Sequence, residues 1–319
     1  MRWWIKALAQ KVLSALPRHQ RLNFAWQRSR WGSLHLSDFF LEDRLAHAQR
    51  HLHAWQHATS PELPARVLEL GTGWYPVVPL ALRMAGVPTV WTVDARPHLR
   101  PPLIRELAEM LLTWERNGKL AQLLSLKESP KQWLTELLAG PLNQSHLAQM
   151  GIHYLVCKLE DLPSEVGPFP MMVSNNTLEH IPADLLPGMF RNMQRILPDD
   201  GLMSHYTDHA DHFSYTDARI SPYHFLRFSP AQWKGINSRL SFQNRLRVNQ
   251  LEEIFTKEGW EVLDRELEYG DQALANEAPL HAPFSQFSWE TWGVTYSHLI
   301  LRKKNGEATL PFLTLFRPE

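Results

Sequence analysis

The densest concentration of reactive side chains lies in one short stretch of the sequence. Three histidines and two aspartates fall between positions 205 and 212: His205, Asp208, His209, Asp211 and His212. Imidazole titrates near neutral pH and can accept the proton of a hydroxyl nucleophile. Histidine and aspartate can also bind a divalent metal ion that orients a diol, or they can simply form a polar loop. We favour a general base, His209 or His205, and assign no metal ligand.

A second group of polar residues follows at Asn244, Arg245 and Arg247. A guanidinium pairs well with carboxylate or phosphate. These residues, together with Asp211 and His212, could therefore clamp an acidic or hydroxyl-rich substrate, called the acceptor below. They could equally brace the segment that carries them by pairing with its aspartates. Both interpretations stay open, and all five residues are predicted to bind the acceptor.

A glycine-containing turn earlier in the chain predicts a nucleoside-binding crevice. The apolar run Val67–Leu70 is typical of a buried parallel strand, and it leads into the turn Gly71–Gly73. Glycines at this place let the backbone turn tightly and approach a ligand closely. A second apolar run ends at Asp94, where an acid can accept both hydroxyls of a ribose. Together these features predict an adenosine-containing cofactor.

The same turn discriminates between adenosine cofactors. A dinucleotide fingerprint has a third glycine three residues after the second, but Pro76 occupies that position here. Trp74 and Tyr75 crowd the place where a pyrophosphate needs free N–H groups. No Gly-Lys-Ser/Thr sequence of a phosphate-binding loop follows. A cofactor without phosphates fits better than a nicotinamide dinucleotide, and S-adenosylmethionine is the common one.

Later segments repeat the order of an apolar run followed by a polar turn, at 152–157, 171–175 and 202–206. From about residue 66 to 206 the chain resembles class I S-adenosylmethionine-dependent methyltransferases. The residues that carry the resemblance are E-x-G-x-G at 69–73, Asp94, E-D-L-P at 160–163 and L-E-H-I at 178–181. The resemblance implies an α/β fold with a doubly wound, mostly parallel Rossmann-like sheet.

The resemblance also implies which residues contact the cofactor. Gly71, Thr72 and Gly73 would pass beneath it. Glu69 would interact, often indirectly, with the amino and carboxylate end of the cofactor, and Asp94 would accept hydrogen bonds from the ribose hydroxyls. We therefore expect all five residues to bind S-adenosylmethionine.

Three further residues follow the third and fourth strands. Asp161 would lie near the adenine amino group. Asn175 lies where this fold brings the cofactor's methyl group toward the acceptor. For His180 the resemblance favours a structural role or a place near the cofactor. The alternative is that His180 is the general base, as a third candidate beside His205 and His209.

The turn G-T-G-W-Y-P at 71–76 is similar to that of a bacterial subgroup linked to surface-polysaccharide and other glycan pathways. Residues 211–213 and 244–247 also resemble that subgroup. We therefore predict methylation of an oxygen on a glycan or small hydroxylated metabolite. The alternatives are methylation of nitrogen or carbon on another metabolite, and a cofactor-binding partner protein without turnover.

The elements that position these residues divide the chain into four predicted parts. Apolar periodicity predicts strands at 66–70, 89–93, 152–157, 171–175 and 202–206, with a last, antiparallel strand near 292–301. The interval from Asp94 to Ile152 is longer than one crossover needs, which predicts an extra helix or two. The predicted parts are an N-terminal helical cap (1–62), a cofactor-binding core (63–206), a helical lid insertion over the acceptor (207–259) and C-terminal strands (260–319).

Composition limits the class of partner. The 319 residues carry 33 basic and 33 acidic side chains, so the formal charge is zero. A neutral chain lacks the basic footprint of a nucleic-acid enzyme, and we expect no nucleic-acid partner. Cys157 is the only cysteine, which excludes an internal disulfide and fits a reducing cytoplasm. We expect it to be a small core residue inside a buried strand.

The N-terminus is basic and amphipathic. The first acidic residue is Asp38. Seven basic residues precede it: Arg2, Lys6, Lys11, Arg18, Arg21, Arg28 and Arg30. An apolar stripe at helical spacing comprises Ile5, Leu8, Ala9, Val12 and Leu16. Such a helix can pack on protein, which we favour, or lie on an anionic membrane. We expect a cytoplasmic protein, with peripheral contact at the inner membrane through residues 1–20 as the alternative.

Overall fold

Seven strands form one mixed sheet in a computed structural model that describes residues 1–17, 19–29, 34–163, 166–275 and 279–304. The strands in chain order are β1 (Arg66–Leu70), β2 (Thr89–Asp94), β3 (Ile152–Val156), β4 (Met171–Asn175), β5 (Leu202–Asp208), β6 (Trp260–Tyr269) and β7 (Val294–Lys303). Across the sheet their order is β3-β2-β1-β4-β5-β7-β6.

The first five strands run parallel to one another. β1 pairs with β2 on one side and β4 on the other, and β3 and β5 extend the sheet outward. β7 pairs antiparallel with both β5 and β6. The predicted doubly wound, mostly parallel sheet and its antiparallel last strand are therefore confirmed. Because the winding direction reverses between β1 and β4, a crevice for ligands opens beyond the carboxyl ends of these strands.

Helices cover both faces of the sheet. Those before β3 are α1 (Trp3–Ala15), α2 (His19–Arg28), α3 (Asp38–Ala58), α4 (Val77–Met84), α5 (Pro101–Arg116), α6 (Leu120–Leu123), α7 (Lys131–Ala139) and α8 (Gln144–Gln149). Those after β3 are α9 (Leu186–Ile196), α10 (Pro230–Ile236), α11 (Val248–Lys257), α12 (Gln272–Ala275), α13 (Ala282–Ser285) and α14 (Trp289–Trp292). Short 3-10 turns occupy Leu159–Asp161, Leu178–His180 and His224–Arg227.

The alternation of side chains along each strand divides the core in two. Val67 packs with the helices α3, α4 and α5, whereas its neighbour Leu68 packs with α9 and α11 on the other face. Both residues are fully buried. This burial on both faces explains why the strands read as continuous apolar runs.

Two expectations about the middle of the chain have different outcomes. The long interval after Asp94 does carry extra helices, since α5 to α8 lie between β2 and β3. The placement of Cys157 inside a buried strand is wrong. β3 ends at Val156, and the thiol lies in the following turn, partly exposed.

The N-terminal helix α1 packs on the segment that follows β5. The amino group of Met1 donates to Thr216 O at 3.0 Å, and Trp3 N donates to Asp217 Oδ2 at 2.8 Å. The side chain of Lys6 donates to Thr216 Oγ1 at 3.3 Å. Docking of α1 on protein is thus confirmed, but through the face opposite the predicted apolar stripe. Arg18, Arg30 and residues 305–319 lie outside the described residues. No helix among the described residues is long and apolar enough to cross a membrane.

Candidate functional site

The turn after β1 has the backbone geometry that glycine permits. Gly71 adopts φ +78° and its N–H donates to Val93 O at 2.8 Å. A Cβ added there would overlap the side chain of Thr177, whose Oγ1 lies only 2.2 Å from that position. Gly73 also has a positive φ, +68°, but a Cβ there would point into open space. The turn is therefore packed on one side and open on the other, as a ligand cradle requires.

Asp94 ends β2 directly beside this turn. Its Oδ1 accepts the Gly73 N–H at 3.3 Å, and its Oδ2 accepts the Tyr154 hydroxyl at 3.0 Å. The carboxylate is buried. Tyr154 also accepts the His98 N–H at 3.0 Å, so the strand end, the turn and the next loop are tied together. An acid fixed in this way can accept hydroxyls of a ribose bound over Gly73.

A buried hydrogen-bonded chain runs beneath the turn. Thr92 Oγ1 donates to Glu69 Oε2 at 2.6 Å and contacts the hydroxyl of Thr72. Burial raises the pKa of Glu69 to about 8, although the Thr92 hydroxyl opposes the shift and the nearby Asp94 adds to it. Glu69 is therefore protonated at neutral pH until a positive charge approaches it.

The carboxyl end of β4 presents polar atoms without partners. Asn175 Oδ1 contacts His51 Nε2 at 3.1 Å, but its buried Nδ2 has no hydrogen bond to any residue that the structure describes. Asn176 adopts φ 49°, and within the same described residues its buried Oδ1 has no partner. Buried polar groups are usually hydrogen-bonded, so these orphaned atoms fit a polar ligand beside the turn. Asp161 is exposed at the end of the 3-10 turn after β3.

Four side chains meet where β4 and β5 end. We call Glu179, His180, Asp208 and His212 the acceptor cluster. His212 Nε2 lies 3.0 Å from Asp208 Oδ2, and the rings of His180 and His212 are 5.0 Å apart. Ligand atoms of Glu179, His180 and His212 all lie within 4.8 Å of one another.

The two carboxylates of the acceptor cluster differ sharply in environment. Asp208 accepts the Tyr215 hydroxyl at 2.6 Å, the Tyr296 hydroxyl at 3.2 Å and the Ala210 N–H at 2.8 Å. Burial alone would raise the pKa of Asp208, but His212 and these donors hold it below its ordinary value. Glu179 is buried, and in the part of the chain that the structure describes its oxygens have no well-aligned partner, only the nearby N–H groups of Glu179 and Asp208. Burial, followed by the charge of Asp208, raises the pKa of Glu179 well above its usual range.

Sequence reasoning assigned no role to most of these residues. Asp208 was expected only as a neighbour of the histidines, and Glu179 only as part of the L-E-H-I pattern. Tyr215 and Tyr296 are far apart in sequence and carried no signal. The useful signal was the position of Asp208 at a strand end, because polar residues at that edge of a parallel sheet face the ligand crevice.

A family described as a methyltransferase domain matches residues 42–265. The match spans well over half of the chain and includes all five parallel strands and the acceptor cluster. The chain belongs to this methyltransferase family. The methyl donor of the class is S-adenosylmethionine, so the predicted enzyme class and cofactor are confirmed. Among curated proteins, none matches the chain.

Several solved structures are similar to this chain, each at low sequence identity. Magnesium protoporphyrin IX methyltransferase of Synechocystis PCC 6803 is 12% identical over 93% of this chain and 99% of its own, with a TM-score of 0.45. The 1,6-didemethyltoxoflavin-N1-methyltransferase of Burkholderia thailandensis is 15% identical over 84% and 82%, with a TM-score of 0.42. The cyclopropane synthase MmaA2 of Mycobacterium tuberculosis is 13% identical over 81% and 84%, with a TM-score of 0.44. These likenesses are too distant to indicate an acceptor.

Two of the predicted bases lie in the packed interior of the methyltransferase. His205 is fully buried within β5, where its Nδ1 contacts Ser174 Oγ at 2.8 Å and its ring stacks on Phe255. His209 uses both ring nitrogens, toward Leu246 O at 3.0 Å and Ser297 Oγ at 2.8 Å. Burial lowers the pKa of each histidine to about 3. Both rings are enclosed by the packed core, whereas His180 lies in the acceptor cluster. The pKa of His180 is also lowered, to about 4, by burial and then by the nearby His212, so its position and not its basicity distinguishes it.

The residues expected to clamp the acceptor bind backbone carbonyls instead. Arg247 is fully buried and donates to His209 O at 2.7 Å and Trp292 O at 2.8 Å. Arg245 donates to Phe225 O at 2.9 Å. These arginines brace the segment after β5, as the alternative interpretation proposed, but through main-chain oxygens rather than aspartates. Burial lowers the pKa of both guanidinium groups to about 10.

Asn244 and Asp211 are likewise engaged with the protein. Asn244 Nδ2 donates to Leu178 O and Ile181 O, both at 2.8 Å, and so holds the turn that carries Glu179 and His180. Asp211 is fully buried, accepts the Phe213 N–H at 2.9 Å and lies 3.2 Å from the ring nitrogen of His224. Of the five predicted acceptor-binding residues, His212 is the one that lies in the acceptor cluster.

Proposed function

We propose that the protein methylates a hydroxyl oxygen on a glycan or a small hydroxylated metabolite. The observation that carries this proposal is the acceptor cluster at the carboxyl ends of β4 and β5. A hydroxyl nucleophile must lose its proton during transfer, and carboxylate and imidazole groups can take or relay that proton. A nitrogen nucleophile with a free lone pair has no such requirement. The paired Asp208 and His212 therefore favour oxygen over nitrogen.

The cofactor residues of this proposal surround the open side of the turn. In this proposal Gly71, Thr72 and Gly73 provide a backbone cradle, Asp94 the ribose contact and Asn175 a polar wall, while the Thr72 hydroxyl is held beneath the turn. Bound S-adenosylmethionine supplies an activated methyl group. Since that group is already electrophilic, the protein's main task is to hold the acceptor oxygen in line with it, and such positioning can contribute roughly 7–11 kcal/mol. Glu69 and Asp161 complete the proposed set.

The proposed acceptor end differs from the original expectation. In this proposal a residue of the acceptor cluster takes up the proton of the acceptor hydroxyl. Of the three predicted bases, His180 belongs to this cluster, whereas His205 and His209 lie in the core. Asp208 stays ionised and orients its neighbours. The four-part division of the chain at residues 62, 206 and 259 remains a proposal, and its last part includes residues 305–319, outside the described residues.

We further propose that the enzyme is cytoplasmic and touches an anionic membrane surface through α1. In this helix polar side chains face the protein and apolar side chains face the solvent. Lys6 and Gln10 are buried against the protein, whereas Leu8 and Val12 are 60% and 55% exposed. The exposed apolar side chains of α1 and its surroundings are Trp4, Ile5, Leu8, Val12, Leu16 and Leu22. No acid precedes Asp38, and the basic residues Arg2, Lys11 and Arg21 are exposed on α1 and its surroundings, which supports attraction to anionic lipid.

Product analysis tests the proposed reaction. The purified protein is incubated with S-adenosylmethionine carrying a ¹³C methyl group and with matched hydroxyl and amino acceptors, including monosaccharides and amino sugars. Carbon NMR distinguishes O-methyl from N-methyl products by chemical shift. We expect O-methyl products. Products methylated only on nitrogen or carbon would favour the second interpretation, and no product with any acceptor would favour a non-catalytic partner protein.

A further inference from the structure

Three potential metal ligands of the acceptor cluster converge at the end of β4. Glu179, His180 and His212 each offer one ligand atom, and these atoms lie within 4.8 Å of one another. Two atoms bound to one zinc-sized ion at about 2.1 Å can be about 4.2 Å apart. Binding an ion would therefore require only a small movement of side chains.

The buried carboxylate of Glu179 gives independent support for a ligand at this place. Its side chain is 2% exposed, and among the described residues its oxygens have no well-aligned hydrogen bond, only the nearby main-chain N–H groups of Glu179 and Asp208. A buried carboxyl group with so few donors either holds a proton or pairs with a cation, and a bound metal ion would replace that proton. Asn244 fixes the turn that carries Glu179, because its side chain bonds the carbonyls of Leu178 and Ile181.

The two histidines have the outer partners that metal-binding imidazoles usually have. His180 Nδ1 lies 2.6 Å from Phe242 O, so this nitrogen carries the proton and Nε2 keeps a lone pair. His212 Nε2 lies 3.0 Å from Asp208 Oδ2 as an ion pair rather than a well-aligned hydrogen bond, and a proton on Nε2 facing Asp208 would leave a lone pair on Nδ1. Ligating histidines almost always donate their second N–H to a carboxylate or a backbone carbonyl. Here one histidine has each kind of partner.

We propose that Glu179, His180 and His212 bind a divalent transition-metal ion, with Asp208 as the positioning residue for His212. Two imidazoles and one carboxylate suit zinc, iron or cobalt better than magnesium, which prefers oxygen ligands. Three protein ligands leave coordination positions open for acceptor oxygens. An ion there would orient a hydroxyl and make it more acidic. This role in turnover rests on the proposed function, whereas binding of the ion itself does not.

Cobalt binding tests the site without any acceptor. The full-length protein is dialysed against chelator and titrated with Co²⁺, followed by visible absorption and calorimetry. We expect one equivalent to bind, with visible bands from nitrogen and oxygen ligands, and zinc to displace it. Glu179→Gln and His180→Gln should each abolish the bands or weaken binding at least about tenfold. Asp208→Asn should weaken binding about 10–100-fold through His212 alone.

His57→Gln is the matched control, because it removes an exposed imidazole near the end of α3 and should bind cobalt like the wild type. Affinity for S-adenosylhomocysteine verifies that each variant is folded, and His180→Gln decides the matter if Glu179→Gln does not fold. Absence of bands in the wild type, or equal binding by both ligand variants, overturns the proposal. O-methyl transfer without cobalt binding would overturn the metal site alone. Cobalt binding with only N-methyl products would overturn the proposed function alone.

Discussion

The carboxylate oxygen Oδ2 of Asp208 lies 3.0 Å from Nε2 of His212. The same oxygen accepts the hydroxyls of Tyr215 at 2.6 Å and Tyr296 at 3.2 Å. Two tyrosine hydroxyls thus donate to this buried oxygen, and His212 lies at ion-pair distance. Burial would raise the pKa of Asp208, but His212, Tyr215 and the Ala210 N–H together hold it below its ordinary value. A fixed negative charge at the end of β5 is the organising feature of the acceptor cluster.

Replacing Asp94 should selectively weaken binding of the cofactor. Asp94→Asn keeps the shape of the side chain but removes its charge, and we expect affinity for S-adenosylhomocysteine to fall by roughly 1–3 kcal/mol because charge-assisted hydrogen bonds are lost. Calorimetry measures this directly. Asp161→Asn is the comparison, since an exposed residue should contribute less. Equal losses in both variants, or tighter binding of NAD than of S-adenosylhomocysteine, would be inconsistent with the proposed ribose contact.

Binding of S-adenosylmethionine should strengthen as pH rises toward 8. The pKa of Glu69 is raised to about 8 by burial, so at pH 6 the free protein holds a proton there. A cationic cofactor nearby favours the ionised form, and each unit by which it lowers this pKa adds up to roughly tenfold in affinity. Calorimetry from pH 6 to 9 should show the rise and proton release. Glu69→Gln should flatten the profile, and an unchanged slope in that variant would exclude Glu69 as the cause.

The buried histidines should make the fold sensitive to acid. Burial lowers the pKa of His51 to about 4 and of His205 to about 3, from an ordinary 6.5. Below pH 6.5 the unfolded chain therefore binds more protons at these histidines than the folded chain does. The contribution of the neutral histidines to the free energy of unfolding is complete above pH 6.5 and is lost as pH falls toward 4. For His51 the loss is about 3 kcal/mol. Urea unfolding at several pH values should show the decline, reduced in His51→Gln but not in His57→Gln. Glu69 and Glu179, whose pKa values are raised in the folded state, act in the opposite sense over this range, so the comparison between variants decides. A pH dependence identical in His51→Gln and the wild type would refute this account.

Arg247 should matter for folding rather than for acceptor affinity. Its guanidinium is fully buried and donates to three backbone carbonyls. Arg247→Met leaves those carbonyls without donors, and we expect a loss of roughly 2–5 kcal/mol in the free energy of unfolding. Urea denaturation measures it. A stable Arg247→Met protein with a greatly raised KM for the acceptor would restore the clamp interpretation.

The outward face of α1 should be needed for membrane association and not for folding. Leu8→Gln with Val12→Gln removes two exposed apolar side chains while leaving the docked residues Trp3 and Lys6 in place. We expect the wild type to sediment with vesicles rich in phosphatidylserine at low salt, and the double variant to remain in the supernatant. Leu185→Gln, an exposed apolar residue outside α1, is the control. A wild type that ignores anionic vesicles would end the membrane proposal.

The geometry around the predicted cofactor turn was predictable because its determinants are local, and the cofactor contacts of its residues stay predictions. The strand before Gly71 and the strand ending at Asp94 each combine an apolar run with a turn or a terminal acid, and such patterns are read directly from neighbouring residues. Pairing in a parallel sheet then places all strand ends at one edge. The sequence boundaries of β1 and β4 agree with the structure to the residue.

The acceptor half was predicted less well because its determinants are not local. β5 continues two residues past the predicted end at Tyr206, so His205 became an interior strand residue and Asp208 the strand end. Partners of His209 and Arg247 include Ser297 in β7 and Trp292 at the end of α14, both far away in sequence. Sequence spacing does not reveal such contacts. Likewise the apolar stripe of α1 was recognised, but not that the helix would bury the opposite face around Lys6.

Single-turnover kinetics of Asp208→Asn test the central claim most directly. The substitution keeps the size of the side chain but removes the charge that orients His212. We predict that the rate of methyl transfer to a hydroxyl acceptor falls about 10²–10⁴-fold, while the dissociation constant of S-adenosylhomocysteine stays within about twofold of the wild-type value. A transfer rate equal to that of the wild type would contradict the proposed role of the acceptor cluster.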